Sequence, residues 1–312
     1  MKSQDETNTN NDEINLVDLF LILFKSKYII IVVTSIFALF SILYSLSIPN
    51  KYTSSATLSI IEDKNSSGKS LLSGFSSIAS IAGINLSSQN SVDKTSLVIS
   101  TINSRIFFKN LLKSKDILPN ILAAIDFDNI GKLIIYNEEI YDPVKKNWKS
   151  FGHKNKPSYL DGYKAYRNLV NIEQDKNSNI IYISVSHVSP IFSHDLLVTI
   201  IDELNNLTKL NDFKESTEAL NYLNNQLEQP IPNNTKEAIN ELILIQIETQ
   251  MLSDIRDEYI VRAIDPPFIP EEKSEPNRAL ICIIITLIGF FSAAFYSFIR
   301  HHYNYKYTEK NS

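Results

Sequence analysis

Two uncharged apolar stretches of 21 residues each, 28–48 and 279–299, stand near opposite ends of this 312-residue chain, with 230 mostly polar residues between them. A helix rises about 1.5 Å per residue, so about 20 apolar residues cross a hydrocarbon core roughly 30 Å thick. Each stretch is long enough to span, and two crossings return a chain to its starting side. The sequence therefore predicts a membrane hairpin. Residues 1–27 and 300–312 form short tails in one compartment, and 49–278 form the domain in the other. Lys25, Lys27, Arg300, Lys306 and Lys310 flank the spans on the tail side, against Lys51, Lys273 and Arg278 on the domain side. An excess of flanking cations marks the cytoplasmic side, which places the tails in the cytoplasm and the domain outside it.

The segment between the spans is of a size that buries a proper core as one large domain or two small ones. A formal net charge of -5 supplies no polybasic surface for nucleic acid. The single cysteine, Cys282, lies inside the second apolar stretch, so no intramolecular disulfide can form and packing alone must hold the core. Ser45-Leu46-Ser47 resembles a small-x-small cleavage site. Signal h-regions, however, run only about 7–15 residues, and this stretch is longer and follows an acid-containing segment, so it reads as an uncleaved anchor.

Residues 1–11 are polar and without period, and 12–24 carry an amphipathic run before Lys25. Residues 52–60 alternate, with Tyr52, Ser54, Ala56, Leu58 and Ile60 on one face, which predicts a half-buried strand. A Ser-, Gly- and Asn-rich loop over 64–91 precedes a helix over 92–113, and 114–157 show no clear period. A strand over 180–187 turns Ile181, Ile183 and Val185 inward. Ser189-Pro190 then reads as an N-cap with proline at the first helical position, opening a long helix over 189–229. Its apolar residues recur near the 3.5-residue step of a coiled coil. Pro230 and Pro232 end it, and a second helix over 235–258 carries two apolar stripes. Ile239, Ile243, Ile247 and Met251 form the stripe that one partner helix leaves uncovered, which makes them candidates for an interface with another subunit. A strand over 259–264 follows. Then come Pro266, Pro267, Pro270 and Pro276, a stiff extended connector immediately before the second span.

No catalytic, cofactor or metal site is read from the chain. Gly68-Lys69-Ser70 looks like the end of a phosphate-binding loop, but Asp63 stands where the motif needs its first glycine. His153, His187, His194, His301 and His302 form no metal-ligand spacing, no Gly-x-Ser-x-Gly elbow exists, and the carboxylates are scattered. The sequence thus reads as non-enzymatic, with no cofactor. Tyr303, Tyr305 and Tyr307 after the second span read as interfacial aromatics rather than phosphorylation sites.

Three segments carry a family resemblance. Asp265-Pro266, and Ile269-Pro270-Glu271-Glu272-Lys273-Ser274-Glu275-Pro276-Asn277-Arg278 running into the second span, resemble the proline-rich second-span motif of Wzz-type O-antigen chain-length determinants, the class 1 polysaccharide co-polymerases. Asp12-Glu13-Ile14-Asn15-Leu16-Val17-Asp18-Leu19 and Ser186-His187-Val188-Ser189-Pro190 are similar to the same family. Gly289 is present in the second span, but Ser292 and Ala293 stand where a second glycine is often found. The resemblance implies an α+β fold in which two transmembrane helices flank a periplasmic domain with a membrane-proximal α/β base and a long helical hairpin. It further implies an inner-membrane homo-oligomer, a ring, that sets the modal length of lipopolysaccharide O-antigen with the Wzy polymerase and meets lipid-linked polysaccharide. Regulation of another polysaccharide such as enterobacterial common antigen, or a role as a two-span sensor or transport accessory, is the alternative.

Overall fold

The computed structural model describes residues 24–61, 94–114, 117–175, 178, 180–230 and 232–309. The loop expected over 64–91 and nearly all of the amphipathic run over 12–24 lie outside these residues. Contacts divide the chain into two compact units, 50–274 and the two terminal segments 1–49 with 275–312.

The larger unit is built on strand β1 (Tyr52–Ile60), whose alternate residues are buried from Tyr52 to Ile60 as the period-2 pattern predicts. β1 lies inside a four-stranded antiparallel sheet of order β6-β7-β1-β8. β7 (Ile180–His187) pairs with it from Tyr52↔His187 to Ser59↔Ile180, β6 (Val170–Gln174) pairs with β7, and β8 (Val261–Asp265) closes the other side. The buried face of the sheet, with Leu58, Ile181, Ile183 and Val185, packs on helices α2 (Lys94–Ile102), α3 (Arg105–Ser114), α5 (Tyr159–Leu169) and the first turns of α6 (Pro190–Leu227). Leu196, Leu197, Ile200 and Leu204 of α6 are fully buried there.

The single helix expected over 92–113 is two helices. Ser104 stops the first and caps the second, its hydroxyl accepting the Phe107 N–H at 3.1 Å. α5 holds this break in place: the Tyr163 hydroxyl donates to the Asn103 carbonyl at 2.6 Å and that of buried Tyr166 to the Ile102 carbonyl at 3.2 Å. Burial pushes the Tyr166 phenol pKa up, so the hydroxyl remains a donor. α5 starts on a capping box in which Ser158 and Asp161 satisfy each other's backbone N–H groups. The Ser158 N–H and hydroxyl both donate to the Asp161 carboxylate, and with Lys154 at 3.1 Å they pull its pKa down to about 2.

The segment without a clear period holds α4 (Ile117–Ala123) and two small hairpins, β2 (Ala124–Asp128) with β3 (Leu133–Tyr136), and β4 (Tyr141–Asp142) with β5 (Asn147–Trp148). Its strands are too short for alternation to register.

α6 starts where the sequence places it, with the Ser189 hydroxyl accepting the Phe192 N–H and Pro190 at the first turn. Its 38 residues extend about 57 Å. α7 (Asn233–Ile255) returns antiparallel to it, and Leu223 of α6 packs with Ile239 and Leu242 near the turn. The coiled-coil seam is not continuous: Leu210 and Phe213 are exposed, because α7 does not cover them. Polar bridges stand at that level, from Gln250 to the Thr217 hydroxyl and from the Tyr259 hydroxyl to Asp212, both 2.8 Å.

Buried Asn205 on α6 receives the returning chain. Its side-chain oxygen accepts the N–H groups of Tyr259, Ile260 and Val261 at 3.0, 2.9 and 3.1 Å, and its amide donates to the Val261 carbonyl at 3.3 Å. A buried donor left without a partner costs about 1–3 kcal/mol. Asn205→Ala is therefore expected to destabilise the domain by about 3 kcal/mol, since part of the loss is relieved by water. A lowered urea midpoint for the full-length protein in detergent, followed by Trp148 fluorescence, checks this; an unchanged midpoint would show that β8 is held without Asn205.

The smaller unit contains α1 (Lys27–Ser47) and α8 (Arg278–Glu309). Both are long and apolar enough to cross a membrane, over Lys27–Ser47 and Arg278–Arg300. Most of each apolar window is exposed, unlike the core helix of a soluble protein. The two helices pack closely at Gly289, where an added Cβ would lie 2.6 Å from Phe37. Ala293 and Ser297 continue this small face at four-residue steps and are buried, as are Ser41 and Ser45 of α1. The close contact that a second glycine often provides is supplied here by Ala293 and Ser297.

Candidate functional site

Among the described residues, no group of three or more His, Cys, Asp and Glu side chains could hold a metal ion. A shallow apolar groove between α1 and α8 is lined by Thr34, Cys282, Thr286 and Phe290. The Thr34 and Thr286 hydroxyls both donate to carbonyls of their own helices, so neither offers its proton to a ligand. What the structure presents instead are surfaces.

The first lies on the helical hairpin. Ile239 is buried against Leu223, Ile243 is half-buried at the same cluster, and Ile247 and Met251 are 40% and 57% exposed. The stripe therefore divides: its end nearer the turn belongs to the hairpin's own core, and its other end is open. Leu210 and Phe213 of α6, and Leu244 and Ile255 of α7, add further exposed apolar side chains. The sequence pattern missed Leu210 and Phe213 because their spacing suits a seam.

The second is the connector. Pro270 is buried, Pro267 half-buried and Pro266 exposed. Within 50–274 the connector is strapped along the start of β1. Buried Ser54 donates its hydroxyl to the Phe268 carbonyl at 2.7 Å, and Ser274 donates its N–H to the Lys51 carbonyl at 2.9 Å. The Ser274 and Thr53 hydroxyls meet at 2.6 Å. Pro276 and Gly289 belong to the smaller unit, so the residues of the proline motif are divided between the units.

The third is the Tyr52 end of the sheet, which α4 and the first hairpin reach through Asn120 and Asn129. His187 pairs with Tyr52 and is 4% exposed. Its Nδ1 accepts the Ser189 N–H at 3.0 Å, so the proton sits on Nε2, which donates to the Asn120 carbonyl at 2.9 Å. Asn120 also accepts the Tyr136 hydroxyl at 2.6 Å, and Asn129 donates to the Tyr52 hydroxyl at 3.3 Å. The ring lies 4.5 Å from that of Phe192. Burial holds the His187 pKa down, from 6.5 to about 4.

Because the folded value lies below the unfolded one, the unfolded chain takes up the proton first as the pH falls. The stability contributed by neutral His187 is complete above about 6.5 and is lost as the pH falls through about 4, on the order of 3 kcal/mol in all. His187→Gln keeps a donor and an acceptor but does not titrate. The gap in melting temperature between wild type and His187→Gln is expected to narrow or reverse from pH 7 to pH 4. Parallel pH profiles would rule His187 out as the titrating group.

Residues 12–122 match the family model described as Wzz, chain length determinant protein. That region belongs to the Wzz family, and the resemblance read from the sequence is borne out there. No curated protein matches the chain. Solved structures similar to it include two polysaccharide co-polymerases. A full-length bacterial polysaccharide co-polymerase is 15% identical, with 93% of this chain and 98% of that one covered at a TM-score of 0.38. A fragment of WzzB, a polysaccharide co-polymerase from Salmonella Typhimurium, is 13% identical, with 72% and 100% covered at a TM-score of 0.32. Assignment to the family rests on residues 12–122, and the mixed helix-and-strand architecture with an apolar helix near each end agrees with it.

Proposed function

We propose that this protein is a non-enzymatic regulator of lipopolysaccharide O-antigen modal chain length, acting with a Wzy-type polymerase at the periplasmic face of the inner membrane. The observation that carries the reading is the match of residues 12–122 to the chain-length determinants. Two helices long and apolar enough to span, with the cation excess on their tail side, support a periplasmic location for residues 49–278. The prolines, with φ fixed, stiffen the connector in this reading. In this reading the domain biases how many repeat units are added before transfer and makes or cuts no bond. Deleting the gene is expected to turn a clustered O-antigen ladder on a silver-stained gel into one dominated by short chains, with polymer still made. A ladder whose modal cluster survives deletion in a strain with no second regulator would overturn the proposal.

Assembly into a homo-oligomeric ring that meets the lipid-linked polysaccharide is part of the same reading, supported by the exposed apolar end of the α7 stripe. Ile247→Asp with Met251→Asp tests it without touching the hairpin's own core, since both residues are exposed whereas Ile243 packs against Leu223. Burying unpaired carboxylates in an interface is costly, so the double variant is expected to lose mass in detergent by light scattering while keeping its helix content. A wild type that is strictly monomeric would remove the premise.

A further inference from the structure

The two small hairpins end in turns that duplicate each other. In Asp128-Asn129-Ile130-Gly131-Lys132 and Asp142-Pro143-Val144-Lys145-Lys146, an aspartate leads, an aliphatic residue follows two positions on and a lysine four positions on. The geometry repeats with the spacing. Asp128 accepts the N–H groups of Ile130 and Gly131 at 2.9 and 3.1 Å, and Asp142 those of Val144 and Lys145 at 3.1 and 3.0 Å. The closing pairs are Asp128↔Leu133 and Asp142↔Asn147, and Lys132 and Lys146 both have positive φ, 52° and 50°.

Each turn departs twice from what a solvent-exposed turn favours. Its tip is aliphatic, and Ile130 and Val144 are 96% and 90% exposed. Its left-handed position holds Lys, where Gly or Asn fits with less strain. Local folding explains the aspartates, which satisfy turn N–H groups, but explains neither the tips nor the lysines. An aliphatic tip flanked by lysine stems suits a boundary between an apolar phase and a layer of anions.

The hairpins are held as a rigid pair. The rings of Tyr136, Tyr141, Trp148 and Phe151 contact one another in sequence at 5.4, 5.0 and 6.2 Å. The first turn is also fixed to the start of β1 through the Asn129–Tyr52 hydrogen bond. Tyr52 stands five residues after Ser47, the last residue of α1, and five residues reach at most about 18 Å. Lys145, Lys146, Lys149 and Lys156 follow the second turn with no acid among residues 143–157, Lys154 in that stretch being paired with Asp161, while the acids of the hairpins, Asp126, Asp128, Glu138, Glu139 and Asp142, all precede it.

We infer that the two turns form a bilayer-docking site, in which Ile130 and Val144 enter the headgroup boundary of an anionic phospholipid surface and the neighbouring lysines meet its phosphates. The site rests on the two-span reading and holds whatever polymer the protein regulates. A shallow tip of one aliphatic residue per turn matches a lipid interface, which needs insertion without shape complementarity.

The test uses the full-length protein in lipid nanodiscs. With Cys282→Ser as background, Ile130→Cys and Val144→Cys are each labelled with an environment-sensitive fluorophore, and Tyr182→Cys, on an exposed position of the sheet, serves as the control. In discs containing phosphatidylglycerol, shallow nitroxide lipids are expected to quench both tip labels about twofold and leave the control unchanged. Pure phosphatidylcholine, or Lys132→Glu with Lys145→Glu, should reduce that quenching. Because a label can itself favour lipid, hydrogen exchange of the unlabelled wild type gives the second measure: amides of 130–132 and 144–146 should be slower in anionic than in zwitterionic discs. Labels that stay unquenched, exchange that ignores lipid charge, or protection produced only by a soluble acidic polysaccharide would each overturn the site; the last would make it a glycan surface.

Discussion

The domain depends on the pairing of β1 with β8. β1 follows the first apolar helix and β8 precedes the connector to the second, so these strands join segments about two hundred residues apart in the chain. Closing so long a loop costs entropy that grows only slowly with its length, and burial of Leu58, Ile60 and Val261 at the junction offsets it. The pairing then continues as hydrogen bonds: Ile61 donates to Ile260, and Ser274 to Lys51. With β1 placed between β7 and β8, the outgoing and returning chains run side by side from one end of the sheet to the other.

The helical hairpin grows from this sheet and passes through two different environments. The first turns of α6 are core residues of the domain, with Leu196, Leu197, Ile200 and Leu204 against the strands. Near the turn, Leu223 meets Ile239 and Leu242 in a separate small cluster. Between them Thr217–Gln250 and Asp212–Tyr259 hold the helices by polar contacts, and apolar side chains of both helices point outward. A long helix whose apolar stripe turns outward midway is well suited to carry an interface, because the fold is already complete without those side chains.

Some of this was legible in the residues themselves. Strands β1 and β7 were visible because alternation of side chains across a strand is a local property, and the start of α6 because Ser189-Pro190 is a local cap. The hairpins over 124–148 were not, since strands of two to five residues carry no measurable period. The break at Ser104 was also hidden. A serine inside an apolar helix reads as interior until Tyr163 and Tyr166 are seen to hold the carbonyls before it.

Of the candidate residues, the sequence by itself determined the types: an apolar stripe on α7, a run of prolines and a glycine in the second span. Tertiary structure decided which members face outward. Ile239 is enclosed and Met251 is not, though both lie on one stripe, because the partner helix supplies Leu223 at one level and polar residues at the other. It also decided that Asn205, one polar residue in a long helix, receives three backbone donors from β8 and the residues before it. Periodicity reports the solvent preference of each side chain, which is a local quantity. Whether a partner stands opposite is set by segments far away in the chain, and no spacing within the helix records it.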